Sequence, residues 1–180
     1  MGVVAIMYNM GVQMHWYIHD GNGKLFNSLK QFYRYKGRVG EYNAENPSEK
    51  VSCGLRINPM CSVVETDIYN PSSPGSRFGV IAEDINDIPE GLDGFHFHAL
   101  CESTSYDLEK VLKSVEDQFG RYLPKLKWLN MGGGHLMTRE GYDIEHLISL
   151  LKSLFCATTL NAFVKRASPA KRAISVPKTL

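Results

Sequence analysis

The chain has 180 residues, with 20 basic and 19 acidic side chains and a formal net charge of +1. That length holds one ordinary domain and falls short of the roughly 250 residues of a complete (β/α)8 barrel. A near-neutral charge speaks against a general nucleic-acid binder, which needs a basic face, and no run of about 20 apolar residues exists to span a membrane. Residues 1–22 contain Met1, Met7, Met10 and Met14 and lead into the loop signal Asp20-Gly-Asn-Gly23. They carry no basic leader ahead of an apolar stretch, so no secretory signal is expected. Cys53, Cys61, Cys101 and Cys156 show no CxxC spacing. They read as reduced thiols of a cytoplasmic protein.

Residues 27–36, with Leu29, Phe32 and Tyr33 at helical spacing, are the first expected helix. Residues 52–57 are short, apolar and closed by Asn58-Pro59, which describes a strand. The turn cluster Asn70-Pro-Ser-Ser-Pro-Gly75 puts Arg77, Phe78 and Gly79 in or beside a loop. Residues 94–100 alternate apolar and polar side chains, a strand with His96 and His98 on one face. Leu108, Val111, Leu112, Val115 and Phe119 form a helical stripe, with Thr104 or Ser105 as cap and Gly120 at the end. Residues 127–131 are another strand and run into Gly132, Gly133 and Gly134. Asp143 then caps a helix whose stripe is Ile144, Leu147, Ile148, Leu151 and Phe155. Residues 157–180 hold five basic residues, no acid and two prolines. They read as a weakly ordered basic tail.

Strand, loop, helix, strand, glycine loop, helix is an α/β order built on parallel strands. Chemistry in such folds collects past the C-terminal ends of the strands, here residues 56–58, 98–102 and 130–135. Three glycines after a strand either make a flexible loop or surround an anion with backbone N–H groups. No Lys-Ser/Thr follows, so the P-loop pattern is absent. His96 and His98 suit a metal site completed by Cys101 or His135, or an imidazole packed face-on against a planar cofactor. A core histidine held by a hydrogen bond is the plain structural explanation. Arg56 in an apolar strand requires an anion, either a carboxylate such as Glu65 or Glu102, or a bound cofactor or substrate.

Four segments together carry a more specific signal. Gly54-Leu-Arg-Ile-Asn-Pro59, Pro74-Gly-Ser-Arg-Phe-Gly79, Gly94-Phe-His-Phe-His-Ala-Leu-Cys-Glu102 and Trp128-Leu-Asn-Met-Gly-Gly-Gly-His135 resemble the carboxynorspermidine/carboxyspermidine decarboxylases in order, spacing and wording. The likeness extends from about Phe26 to Leu151. It implies a pyridoxal 5'-phosphate enzyme with an alanine-racemase-like barrel and a C-terminal β domain. Only part of that (β/α)8 TIM-type barrel is expected here. The first strand or strands and the β domain are absent from an atypical segment 1–25, a partial barrel 26–155 and a tail 156–180. By resemblance His98 stacks on the pyridine ring, Gly132, Gly133 and Gly134 hold the phosphate, Arg56 lies near the ring, and His135 faces phosphate or substrate. Cys101 and Glu102 line the site as catalytic residues. The substrate is a carboxylated polyamine that loses CO2, and the family pattern is a homodimer.

Two features of the family pattern are missing. The lysine that holds the cofactor covalently belongs on an early strand, upstream of the matched segments, and Lys24 follows a Gly-Asn-Gly turn instead. The acid for the ring nitrogen belongs in a Glu-Pro-Gly motif after the last matched helix, where Phe155 leads into the basic tail. A weakly active or inactive copy is therefore expected. A metal-dependent hydrolase built on His96 and His98, and a non-catalytic pseudoenzyme, are the alternatives.

Overall fold

The computed structural model describes residues 23–64, 70–73, 75–157, 161–164 and 174–175, with side chains up to Leu154. Expectations placed on residues 1–22, on Glu65, on the Phe155 side chain and on most of the basic tail lie outside the described residues. Among those described, one sheet contains β1 (Gly23–Phe26), β2 (Ser52–Arg56), β3 (Gly94–His96), β4 (Trp128–Asn130), β5 (Asn161–Val164) and β6 (Ile174–Ser175), in that order. β1 begins inside the stretch read as an atypical leader, and β5 and β6 fall within the stretch read as a tail. Strands β1 to β5 run parallel, and β6 is antiparallel to β5.

Parallel neighbours need crossovers. The helix α1 (Leu29–Glu45) links β1 to β2, α2 (Ser105–Phe119) links β3 to β4, and α3 (Ile144–Ala157) links β4 to β5. Between β2 and β3 the described residues form no α-helix and include a 3-10 turn at Ala82–Asp84. Each parallel strand lies beside its predecessor, so right-handed crossovers put the helices on one side of the sheet. A doubly wound sheet reverses direction at a switch point, whereas this one continues as the arc of a barrel. Among the described residues no helix is long and apolar enough to cross a membrane.

The helices form where their sequences direct. Thr104 accepts from the Asp107 N–H and Asp107 reaches back to the Thr104 N–H, a capping box at the start of α2. Leu108, Val111, Leu112, Val115 and Phe119 are buried. Phe119 and Tyr122 meet Phe95 of β3 edge-on, at 5.8 and 6.2 Å between ring centres. Each such fully buried side chain contributes roughly 1.5–3 kcal/mol. In α3, Asp143 Oδ1 accepts from the His146 N–H at 2.8 Å, the expected cap. Leu147, Leu151 and Leu154 are its buried side chains, while Ile144 and Ile148 are half-buried.

The first helix runs nine residues past its expected end at Lys36, through Gly37 and Gly40. Glycine weakens a helix interior by about 1 kcal/mol each. Tertiary contacts offset that cost: Val39 packs on the core, and Asn43 exchanges two hydrogen bonds with the Val51 backbone, at 2.9 and 2.6 Å. The C-terminal half of α1 is thereby fastened to the start of β2.

Alternation assigns the two faces of the sheet. Phe26, Leu55, Phe95 and Leu129 share one register row and face the helices. Gly54, Gly94 and Trp128 share a row on the opposite, inner face. The Trp128 ring lies flat across the two glycines, occupying the space a Cβ would need at either. Its Nε1 donates to Ser52 Oγ at 2.9 Å, and Ser52 donates to Asp93 at 2.8 Å. Gly94→Ala is therefore expected to lower stability by about 2–3 kcal/mol in urea denaturation, as overpacking of a tight core does. Combined with Trp128→Leu, it should cost less than the sum of the two single changes. Strict additivity would show that the ring and the glycine do not compete for space.

Candidate active site

Two residues beyond the glycine–tryptophan row, the same inner face carries Arg56, His96 and Asn130 in one register row. These polar side chains are buried, at 4%, 1% and 7% exposure. They lead directly into the segments expected to hold chemistry.

Arg56 has its Cζ 4.8 Å from the centre of the Phe78 ring. Phe78 is placed there by the turn-rich loop after β2. The Val80 N–H donates to the Arg56 carbonyl and the Asn58 N–H to that of Val80, both at 2.9 Å. Asn27, at the end of β1, donates to the Arg77 carbonyl at 2.7 Å and accepts from the Gly79 N–H at 3.1 Å. Gly79 has φ +95, and a Cβ there would sit 2.6 Å from the Ile57 carbonyl carbon. Only glycine lets the loop lie this close over the end of β2. Of the two carboxylates expected to partner Arg56, Glu102 is exposed on a different loop and Glu65 lies outside the described residues.

Asn130 organises the centre. Its Oδ1 lies 2.9 Å from the Gly132 N–H and 3.1 Å from His96 Nδ1. A backbone N–H only donates, so the amide atom facing it is the oxygen, and His96 must then donate from Nδ1. Burial, then the charge of Arg56, then that of His98 push the His96 pKa well below the ordinary imidazole value. His96 is thus a neutral core histidine with a fixed tautomer, the plain explanation for this member of the pair. Its ring stacks at 26° and 6.5 Å against His98, which leaves the sheet on the same side as expected.

His98 is half-buried, and its Nδ1 accepts from the Gly133 N–H at 3.3 Å. That bond ties the ring to the glycine loop. Gly132 and Gly134 have φ +72 and +98, and a Cβ at Gly132 would lie 2.7 Å from the Phe97 carbonyl oxygen. The loop differs from the expected three-glycine cradle in one respect. The Gly132 and Gly133 N–H groups are already bonded to Asn130 and His98. The donors left without a partner among the described residues are the next two, Gly134 and His135.

His135 is fully buried, with Nδ1 3.1 Å from the Tyr142 hydroxyl and Nε2 without a hydrogen-bond partner among the described residues. Burial first, and the charge of His98 second, push its pKa down to about 4. Cys101 and Glu102 are exposed on the turn after Leu100. Ser103 Oγ accepts from the Cys101 N–H at 3.2 Å and donates to the Cys101 carbonyl at 3.0 Å. Glu102 adopts φ +50, a left-handed conformation that costs a non-glycine residue about 1 kcal/mol or more. Among the described residues no three His, Cys, Asp or Glu side chains converge as a metal ion requires. The ligand set of the hydrolase alternative is therefore not assembled there. Asn130, Asn27 and Tyr142 are the organising residues that sequence reasoning left unassigned. Asn130 alone carried a local signal, a polar side chain ending an apolar strand.

Barrel arc, glycine loop and paired histidines at adjacent strand ends make the described residues part of an α/β barrel, and the alanine-racemase-like class is the one its structural neighbours share. No protein-family model matches the chain. It is 47% identical over 127 residues to a carboxyaminopropylagmatine decarboxylase of Synechocystis sp., covering 70% of this chain and 31% of the relative. It is 40% identical over 130 residues to a carboxynorspermidine/carboxyspermidine decarboxylase of Campylobacter jejuni, covering 72% of this chain and 32% of that one. The crystal structure of carboxynorspermidine decarboxylase from Campylobacter jejuni, complexed with norspermidine, superposes with a TM-score of 0.65 at 34% identity, over 81% of this chain and 35% of its own. A diaminopimelate decarboxylase structure shares the fold, with a TM-score of 0.52 at 16% identity, over 80% of this chain and 41% of its own. The resemblance to carboxynorspermidine/carboxyspermidine decarboxylases thus holds over the central part of the chain, which spans about a third of the length of the curated relatives it matches.

The two buried neutral histidines set a pH dependence of stability. An unfolded imidazole titrates near 6.5, above the folded value of both His96 and His135, so below about pH 6.5 the unfolded state binds more protons. The contribution is complete above that pH and is lost as pH falls toward about 4 for His135. Urea stability should drop between about pH 7 and about pH 5, with a slope of up to roughly 1.4 kcal/mol per pH unit for each histidine. His135→Gln should remove about one proton from that slope, and an unchanged slope would contradict the assignment.

Proposed function

We propose that this chain is the cofactor-gripping part of a pyridoxal 5'-phosphate-dependent decarboxylase of the cytoplasm, acting on a carboxylated polyamine such as carboxynorspermidine or carboxyspermidine. The observation that carries this reading is the convergence of Arg56, His98 and the glycine loop at three adjacent strand ends, with His98 hydrogen-bonded to Gly133. These residues fit the group. The backbone donors of Gly134 and His135 suit a phosphate, as consecutive N–H groups after a left-handed glycine do. His98 offers a half-buried imidazole plane held at one edge, suited to stacking on an aromatic ring. When bound, the cofactor supplies the electron sink that stabilises the carbanion left by CO2. Gly132 and Gly134 shape the loop, and Asn130 holds its first N–H in place. Arg56 brings a buried positive charge against the Phe78 ring, and Cys101 and Glu102, exposed on the turn after Leu100, would be open to substrate.

A covalent hold on the cofactor is the function least supported by these residues. Lys24 is the one lysine within a parallel strand among the described residues, in register with Cys53 and on the helix side of the sheet. It does not share the inner face with Arg56 and His96. We therefore propose non-covalent cofactor binding and at most trace turnover for the 180-residue chain.

The test is equilibrium dialysis of the purified chain with pyridoxal 5'-phosphate, together with CO2 release from carboxynorspermidine. Binding is expected without appreciable turnover, and His98→Ala should weaken it roughly three- to tenfold, the worth of a stacked ring pair. Absence of binding would overturn the reading of the site. Turnover at the rate of an intact decarboxylase would overturn the reading of Lys24.

A further inference from the structure

The contact between Tyr142 and His135 belongs to the site but has been given no chemical role above. The hydroxyl lies 3.1 Å from His135 Nδ1, with the rings 6.5 Å apart and crossed at 72°. Tyr142 precedes α3 and is half-buried, while His135 ends the glycine loop at 0% exposure.

The proton between them has two arrangements. In one, the imidazole donates from Nδ1 to the phenol oxygen, and Nε2 is a bare acceptor. In the other, the phenol donates to the Nδ1 lone pair, and Nε2 carries the single N–H of a neutral ring. Burial holds His135 neutral, and burial together with the charges of Asp107 and Asp143 pushes the Tyr142 phenol up to about 12. The phenol therefore keeps its proton, and a neutral imidazole nitrogen is a better acceptor than a phenol oxygen. A fully buried Nε2–H without a protein acceptor is costly unless a bound molecule completes it. The backbone donors of this loop without partners among the described residues, Gly134 and His135, adjoin it in the chain.

We infer that Tyr142 is a positioning residue: its hydroxyl donates to His135 Nδ1, so that Nε2–H becomes the side-chain donor that joins the Gly134 and His135 N–H groups on a bound phosphate. The inference rests on the phosphate reading of the loop. It adds a residue from the start of α3 to a site otherwise built from strand ends.

Nitrogen-15 NMR of the histidine-labelled full chain tests the tautomer without any substitution. His135 should show a protonated Nε2 and a lone-pair Nδ1. A protonated Nδ1 would overturn the inference. Binding of pyridoxal 5'-phosphate and of inorganic phosphate should each weaken about five- to tenfold in Tyr142→Phe, the size of one hydrogen bond. In the His135→Gln background, Tyr142→Phe should have no further effect. An equal loss in both backgrounds would mean that Tyr142 acts only as packing, and the inference would fall. Failure of the unmodified chain to bind either phosphate compound would instead sink the phosphate reading, and the NMR result would still stand.

Discussion

An indole ring laid across two glycines governs this sheet. Trp128 leaves no room for a Cβ at Gly54 or Gly94, so β2, β3 and β4 meet in a single register. A slip of one residue would bring Leu55 or Phe95 beneath the ring and turn every side chain to the wrong face. Below the ring, Ser52 and Asp93 fasten the N-terminal ends of the strands through its Nε1. Above it, the two-residue period of a strand puts Arg56, His96 and Asn130 in a row. The site is thus a consequence of a packing contact about one strand repeat away.

That row is costly. Three polar side chains are removed from water, and hydrogen bonds recover only part of the desolvation. Asn130 limits the cost by satisfying His96 and Gly132 with one oxygen. Phe78 covers Arg56 with an aromatic face, and Asn27 holds the covering loop by two bonds. The same bonds remove freedom from the groups they satisfy: His96 has one tautomer, and the Gly132 and Gly133 N–H groups have fixed partners. The loop N–H groups left without partners among the described residues are those of Gly134 and His135.

Much of this was readable in the residues. The helical stripes of α2 and α3, the Asp143 cap and the glycine loop follow from local patterns, and the structure has them; the strand expected over residues 94–100 stops at His96, with His98 just beyond it. β1 was missed because four residues with a lysine among them carry little strand signal. α1 was cut short at Gly37 because propensity disfavours glycine, while Asn43 and Val39 hold the helix through long-range contacts that no local pattern contains. Gly54 and Gly94 looked like ordinary strand residues; their role appears only once Trp128 is seen lying on them. The glycine loop was read as three open donors, since spacing cannot show that Asn130 and His98 take two of them.

Strand parity also bears on what the arc can do with a ligand. Leu25 aligns with Gly54 on the inner face, and Lys24 aligns with Cys53 on the face that packs against helices. A single residue separates the two outcomes, yet the register of β1 against β2 admits only one. An amine on the helix side of a parallel sheet cannot reach a group held over its C-terminal ends without unpairing the strand, at the cost of ladder hydrogen bonds and of the Phe26 contact with Phe32. In the reading proposed above, the described arc offers donors and a ring plane to an anion and an aromatic ring, and no amine among the described residues is placed to bond to them. On that reading gripping and reacting are separable, because they would come from different strands: the first from the ends of β2, β3 and β4, the second from a residue facing inward beside them.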